Sequence, residues 1–579
     1  MQTRFQKLAG LFSFRSFERV LVSCAVVFFA VFSTAAQGAT PPPLLAAHGA
    51  VASDNPQASD VGVAILKSGG NAIDAACATA LALGVTHPYA SGMGGGGFAI
   101  VYLAKERRVL ALDFRERAPA GIRPELFLKD GKADPKLSRE GGLAVAVPGE
   151  VRGLGDLVRR FGKLPFARCV APAEALARNG MTVTWRLAEV VSKETAPAIQ
   201  SRFSSGGKPV EAGATLRRPD LAWTLSRLRT GGPEAFYKGA IANEIVKAVK
   251  DAGGVLTLAD LEAYRATERA PMETTYRGLR VVSMPPPSSG GIALVESLGI
   301  LSARFPRSDD LRTLGHGSSA YLHVLAEILK HAFADRARFL GDPDFVTVPS
   351  QHLQSPEYAA QLAAKIHDRS VLPREAYGTP EGTGDVHRDG GTAHLSVVDA
   401  EGNAVSMTTT INLGFGAKVI AGKTGIVLNN QMDDFAIQPG VPNGFGLIGS
   451  TQNAVAPGKR PLSSMTPTLV IDEAGVKVIV GAAGGPNIIT ATLQVLLNVV
   501  DWNLNAQAAI AAPRIHDQWV PEFLMVEPEI SRDVVDALIA RGQVVKPIPH
   551  VGVSNLVVRG THGWEVAAEP RSPSRPAGY

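Results

Sequence analysis

Polar and apolar positions alternate in two runs late in the chain, TAHLSVV (392–398) and AVSMTTTIN (404–412), with DAEGN between them. A period of two marks strands, and a Gly/Asn-containing turn of this length joins antiparallel neighbours, so the pattern predicts a β-hairpin. Centring its turn on Glu401 sets Thr392 opposite Thr410. Earlier, Asn71 opens an Ala/Leu-rich stretch, apolar nearly all round, that reads as a buried helix ending near Gly84. Residues 151–341 are helix-rich; SSAYLHVLAEILKHAFADRARFLG predicts an amphipathic helix with its charges on the face away from the core and with His323 and His331 as packing or surface groups. SMPPPSSGG (283–291) breaks that pattern as a rigid turn, and 368–391, rich in Gly, Pro and charge, reads as an exposed, mobile loop.

The N-terminus departs from this globular pattern. Arg4, Lys7, Arg15 and Arg19 precede the apolar run VLVSCAVVFFAVF, and small residues follow it. The run is too short for an ordinary membrane span, so residues 1–39 read as a secretory signal peptide and the mature chain as periplasmic or secreted. LVSC resembles a lipoprotein box, but Glu18 and Arg19 occupy the place of its apolar segment and argue against a lipid on Cys24. Cys77 and Cys169 remain, in helix-like contexts, and read as buried free thiols.

Composition narrows the function classes. The 579 residues are 45% hydrophobic and 19% charged, values of a globular chain, and the net charge of +5 is scattered without a long basic run, which argues against nucleic-acid binding. Gly92, Gly94 and Gly97 satisfy GxGxxG, yet they follow a helix and open a strand, the reverse of the dinucleotide-binding order; close packing of backbones explains them better. GAKVIAGKT (416–424) misses the phosphate-binding loop by one residue of spacing, and GxSxG, HExxH and paired CxxC do not occur. No cofactor or metal is expected.

The threonine behind Gly390-Gly391 offers another chemistry. A threonine hydroxyl is a poor nucleophile until a base takes its proton, and a nucleophile at a chain terminus can use its own α-amine. Thr392 would gain one if the chain were cut before it, after attack of its hydroxyl on the Gly391 carbonyl. Taken alone, Gly-Gly-Thr is also how an edge strand begins after a loop.

Longer blocks decide between the two readings. GGNAIDAACATALALGVTHPYASGMGGGGF, LDFRERAP, VPGEVRGLGDLVRRFGKLP, SMPPPSSGG, FADRARFLGDPDF, GGTAHLSVVDAEGNAVSMTTTIN, GIVLNNQMDDF, KRPLSSMTPT and GAAGGPNIIT, in this order, make the chain from Gly69 to Tyr579 resemble the γ-glutamyltranspeptidases, or glutathione hydrolases. The resemblance implies an α+β fold, the four-layer αββα sandwich of the N-terminal-nucleophile hydrolases, made as a precursor that cuts itself between Gly391 and Thr392. Residues 40–391 would form a large subunit and 392–579 a small one, joined as a heterodimer. It implies Thr392 as nucleophile with Thr410 assisting, Gly484 and Gly485 as oxyanion hole, Arg115, Ser463 and Ser464 at the donor's α-carboxylate, and Asp434, Asn412 and Gln431 at its ammonium end. Implied substrates are glutathione and other γ-glutamyl compounds, with water, amino acids or short peptides as acceptors.

Ala393 stands where many relatives carry a second threonine, Phe445 where some bacterial members have a lid tyrosine, and GAAGGPN differs from the usual flanks of the two glycines. These departures bear on acceptor preference. Two alternatives remain at this point: a related acylase acting on glutaryl side chains of cephalosporin-type amides, which lack the ammonium that Asp434 would hold, and an unprocessed secreted binding protein.

Overall fold

The computed structural model describes residues 40–378 and 391–579; the leader with Cys24, and the end of the loop before Gly391, lie outside the described residues. Pro43–Tyr579 form one unit. Fourteen strands build two sheets: β1 (Leu44–Ala46), β2 (Ala50–Ser53), β3 (Gly96–Leu103), β4 (Arg108–Phe114), β5 (Thr267–Arg269), β6 (Met272–Tyr276), β7 (Leu279–Ser283), β8 (Gly391–Val398), β9 (Ala404–Asn412), β10 (Thr468–Asp472), β11 (Gly475–Ala483), β12 (Val553–Gly560), β13 (Gly563–Val566) and β14 (Ala577–Gly578). One seven-stranded sheet runs β1-β13-β12-β11-β10-β7-β6 and the other β5-β4-β3-β9-β8-β2-β14. All neighbours are antiparallel.

The sheets pack face to face, β8 and β9 against β11. Helices α1 (Pro56–Lys67), α2 (Ala72–Thr86) and α3 (Glu150–Phe161) cover the outside of the second sheet. On the first lie α4 (Gly290–Arg304) and α6 (Asn487–Val500), with α5 (Ser319–Phe339) packed on α4. This is the αββα sandwich the resemblance implies. Each interlayer space has its own apolar cluster.

Local rules account for the elements near the site. Asn71 caps α2 reciprocally with Asp74, and the helix is buried throughout most of its length, as its pattern predicts. Glycines 94, 95 and 97 let backbones meet: a Cβ on Gly95 would stand 1.9 Å from the Thr410 carbonyl oxygen, and one on Gly97 2.2 Å from that of Thr408. The β8–β9 hairpin forms in the expected register, Thr392 opposite Thr410, with an irregularity between Gly391 and Thr392.

Both faces of that hairpin are buried. Ala393, Leu395 and Val397 point into the helix-side core, so by the period of two Thr392, His394 and Ser396 point between the sheets. There His394 Nδ1 meets Thr408 Oγ1 at 2.8 Å and Nε2 meets Ser396 Oγ at 3.2 Å. Gly481 makes room, since a Cβ there would lie 2.2 Å from the His394 ring.

One expectation is corrected. The charged positions of α5 do not face solvent: Glu327, Lys330, Asp335 and Arg336 are buried, as are His323 and His331. Segments from elsewhere in the chain cover that face and supply polar partners, Gln543 to Lys330 and Tyr358 to Asp335. Cys77 and Cys169 are buried free thiols, as expected.

Candidate active site

Thr392 opens the buried end of β8 at the junction of two cavities. Its Oγ1 lies 3.0 Å from Thr410 Oγ1, which is 2.7 Å from the Gly391 carbonyl oxygen and accepts the Asn412 amide at 2.8 Å. A hydroxyl has one proton to give and two lone pairs. With Thr410's proton on Gly391 O, the Thr392 hydroxyl must donate to Thr410, which aims its remaining lone pairs away from that bond.

Gly391 is confined: a Cβ would stand 2.5 Å from the Leu413 carbonyl oxygen and 2.9 Å from that of Tyr89. Close approach of backbones requires glycine here.

The narrower cavity gathers Arg115, Thr392, Thr410, Asn412, Gln431, Asp434, Ser463, Ser464 and Gly485. Gly484 lines the adjoining groove with Thr392. All the residues the sequence points to therefore converge on one place. Arg115, just past β4, donates from Nη2 to Asp434 Oδ2 at 2.5 Å and from Nε to the Pro461 carbonyl at 3.2 Å. Asp434 also accepts from Gln431 Nε2 at 2.8 Å and from Asn443 Nδ2 at 3.3 Å. Asn412 Nδ2 donates to the Asn430 carbonyl, which fixes its amide at the pocket wall.

Gly484 and Gly485 lead into α6 with φ of 123° and 59°, a region that favours glycine. The turn's hydrogen bonds run from Asn487 and Ile488 N–H to the two glycine carbonyls, so the glycine amides stay out of that ladder. Amides at a helix N-terminus carry partial positive charge suited to a developing oxyanion. The Phe445 ring packs on Gly485, where a Cβ would come within 2.5 Å of it.

The wider groove, about 790 Å³, starts at Thr392 and is lined in part by Asp54, His87, Trp185, Asn487, Met525 and His550. Of the departures noted above, Asn487 and Phe445 face this groove, whereas Ala393 points into the helix-side core and touches no ligand space.

Several groups at the site carry no signal in the sequence pattern. Asn443 holds Asp434. Glu116, beside Arg115 at 3.7 Å, has no hydrogen bond to either carboxylate oxygen among the described residues; burial pushes it up to about 7, against the pull of Arg115. Arg336 lines the narrow cavity from α5. It falls within a block that carries the resemblance, but its helical spacing disguises it as a surface charge.

The model of the gamma-glutamyltranspeptidase family matches residues 58–579. The chain is 42% identical to a glutathione hydrolase proenzyme of Escherichia coli over 96% of its own length and 98% of the relative's. Among solved structures it resembles a cephalosporin acylase from Bacillus halodurans (TM-score 0.81, 29% identity, covering 94% of this chain and 98% of that one). It also resembles the γ-glutamyltranspeptidase of Helicobacter pylori (TM-score 0.53, 37% identity, 58% of this chain and 95% of that one).

Proposed function

The chain belongs to the γ-glutamyltranspeptidase family, and from that premise we propose that Thr392 is the nucleophile of a self-processing γ-glutamyltransferase and glutathione hydrolase. The enzyme cleaves γ-glutamyl amides such as glutathione and passes the glutamyl group to water, an amino acid or a short peptide. The observation that carries the residue assignment is the convergence of Thr392 with the Arg115–Asp434 pair in one cavity. A fixed cation beside a fixed anion matches the carboxylate and ammonium of a γ-glutamyl end.

Processing comes first. Thr392 Oγ1 attacks the Gly391 carbonyl carbon, and charge growing on that oxygen meets the Thr410 hydroxyl already 2.7 Å away. The C–N bond breaks as the acyl group moves to Oγ1 and the hydroxyl proton passes to the departing nitrogen, and water then hydrolyses the ester to leave a Gly391 carboxylate and the Thr392 α-amine. Residues 40–391 and 392–579 remain together as a heterodimer, because β8 stays between β9 and β2 within one sheet.

In turnover the α-amine takes the hydroxyl proton while Oγ1 attacks the donor's γ-carbonyl. The Gly484 and Gly485 amides receive the oxyanion, the departing amine is protonated, and a γ-glutamyl-Thr392 ester forms. Water or an incoming amine resolves it through the wider groove. Residues 1–39 serve as an export leader, with the enzyme acting in the periplasm or outside the cell.

The acylase likeness supports a second donor class less well, since Asp434 is retained with three side chains holding it. Turnover of γ-glutamyl and glutaryl anilides side by side tests the choice. Faster glutaryl turnover would overturn it.

A further inference from the structure

Arg336 is 5% exposed, and its only hydrogen bond among the described residues runs from Nε to Ser289 Oγ at 3.2 Å. No carboxylate comes within 4 Å of it among those residues, whereas Arg115 is held by Asp434 at 2.5 Å. Desolvating a guanidinium without a counter-ion is unfavourable, and proteins seldom retain such a group for stability. Burial draws its pKa down to about 10, with Asp434 opposing.

Its place in the pocket suggests a use. Ser289, which receives the Arg336 bond, donates its hydroxyl at 2.6 Å and its amide at 2.7 Å to the Ser463 carbonyl. Arg336 therefore stands beside the Ser463–Ser464 segment, in the cavity that Arg115 and Asp434 also line. Among the described residues four of its five N–H donors have no acceptor, and on the γ-glutamyl reading the pocket they border takes a ligand with a carboxylate.

We propose that Arg336 is the second cation of the donor pocket: its terminal N–H groups, together with Arg115, meet the donor α-carboxylate beside Ser463 and Ser464. The inference rests on the γ-glutamyl reading above and adds to it. Arg115, already neutralised in part by Asp434, orients the carboxylate; Arg336 supplies the uncompensated charge that selects for it. A donor whose α-carboxyl is a neutral carboxamide forfeits that selection.

The test compares wild type, Arg336→Met and Arg336→Lys, each verified as cut by intact mass, on a γ-glutamyl anilide and on its α-carboxamide analogue. Loss of one hydrogen bond to a charged group predicts that Arg336→Met raises KM for the acid donor about tenfold or more, with kcat little changed. The carboxamide donor should be nearly unaffected, so discrimination between the two collapses. Arg336→Lys should recover part of it. Thermal stability of Arg336→Met should equal or exceed that of wild type, because an unpaired buried charge is gone. Equal losses on both donors, or lowered stability with KM unchanged, would make Arg336 a structural residue and overturn the assignment; Arg336→Lys gives the same comparison if the Met variant stays uncut. A wild type that fails to turn over the acid donor would instead overturn the γ-glutamyl reading, and this inference with it.

Discussion

The Thr410 hydroxyl donates to the Gly391 carbonyl oxygen at 2.7 Å, beside the bond that the proposed self-cleavage would break. The contact exists in the uncut chain, so the donor is in place before charge develops. Removing one pre-aimed donor from a developing oxyanion lowers rates by roughly a hundredfold or more. Thr410→Ala should therefore accumulate as a full-length band cut that much more slowly than wild type, while Thr410→Ser, which keeps the hydroxyl, should be cut at a rate closer to it. A gel time course of purified precursor reads both.

Arg115→Lys should leave processing intact and impair turnover. In its proposed role Arg115 would meet the donor carboxylate with a planar fork, which the Pro461 carbonyl and Asp434 hold in orientation. Lysine offers one flexible point charge. A donor that drifts by about 1 Å from the nucleophile loses on the order of a hundredfold in rate. The fall in kcat/KM, measured on fully cut enzyme, should be of that size.

Glu150, at the start of α3, provides a pH signature. Burial pushes it up to about 8; the Glu116 carboxylate adds to the shift and the Gly92 amide opposes it. A folded-state value above the unfolded one means that the folded chain binds the extra proton. Its contribution is full below about 4.5 and is lost as pH rises through about 8. The size is on the order of 5 kcal/mol. In the uncut Thr392→Ala background, Glu150→Gln should flatten the decline in urea-unfolding stability between pH 5 and pH 9. An unchanged slope would mean that the carboxyl is ionised in the fold.

The sequence discloses the hairpin register because a turn and two alternating arms define it locally. The same alternation conceals the environment: a period of two normally means one wet face, yet His394, Ser396, Ser406 and Thr408 look into a second sheet. Nothing local to 392–412 announces β11, which arrives from more than 60 residues away. Arg336 is hidden for the same reason, since the cover over α5 comes from distant segments. The residues proposed for the γ-glutamyl grip, Arg115, Asp434 and Ser463 among them, lie far apart in the chain, and only the resemblance to a family joins them before the fold does. Ala393 shows the converse: as a departure in sequence it bears on the site, but its side chain faces the helix-side core.

The central claim is that one hydroxyl performs both the cut and the catalysis, and the intact masses of Thr392→Ala and Thr392→Ser test it most directly. Alanine leaves the fold but removes the group hydrogen-bonded to Thr410, so this variant should remain a single inactive chain. Serine keeps the hydroxyl but loses the β-branch that stiffens χ1, so it should be cut, more slowly, into two chains with residual activity. A Thr392→Ala protein that still separates between Gly391 and Thr392 would contradict the account.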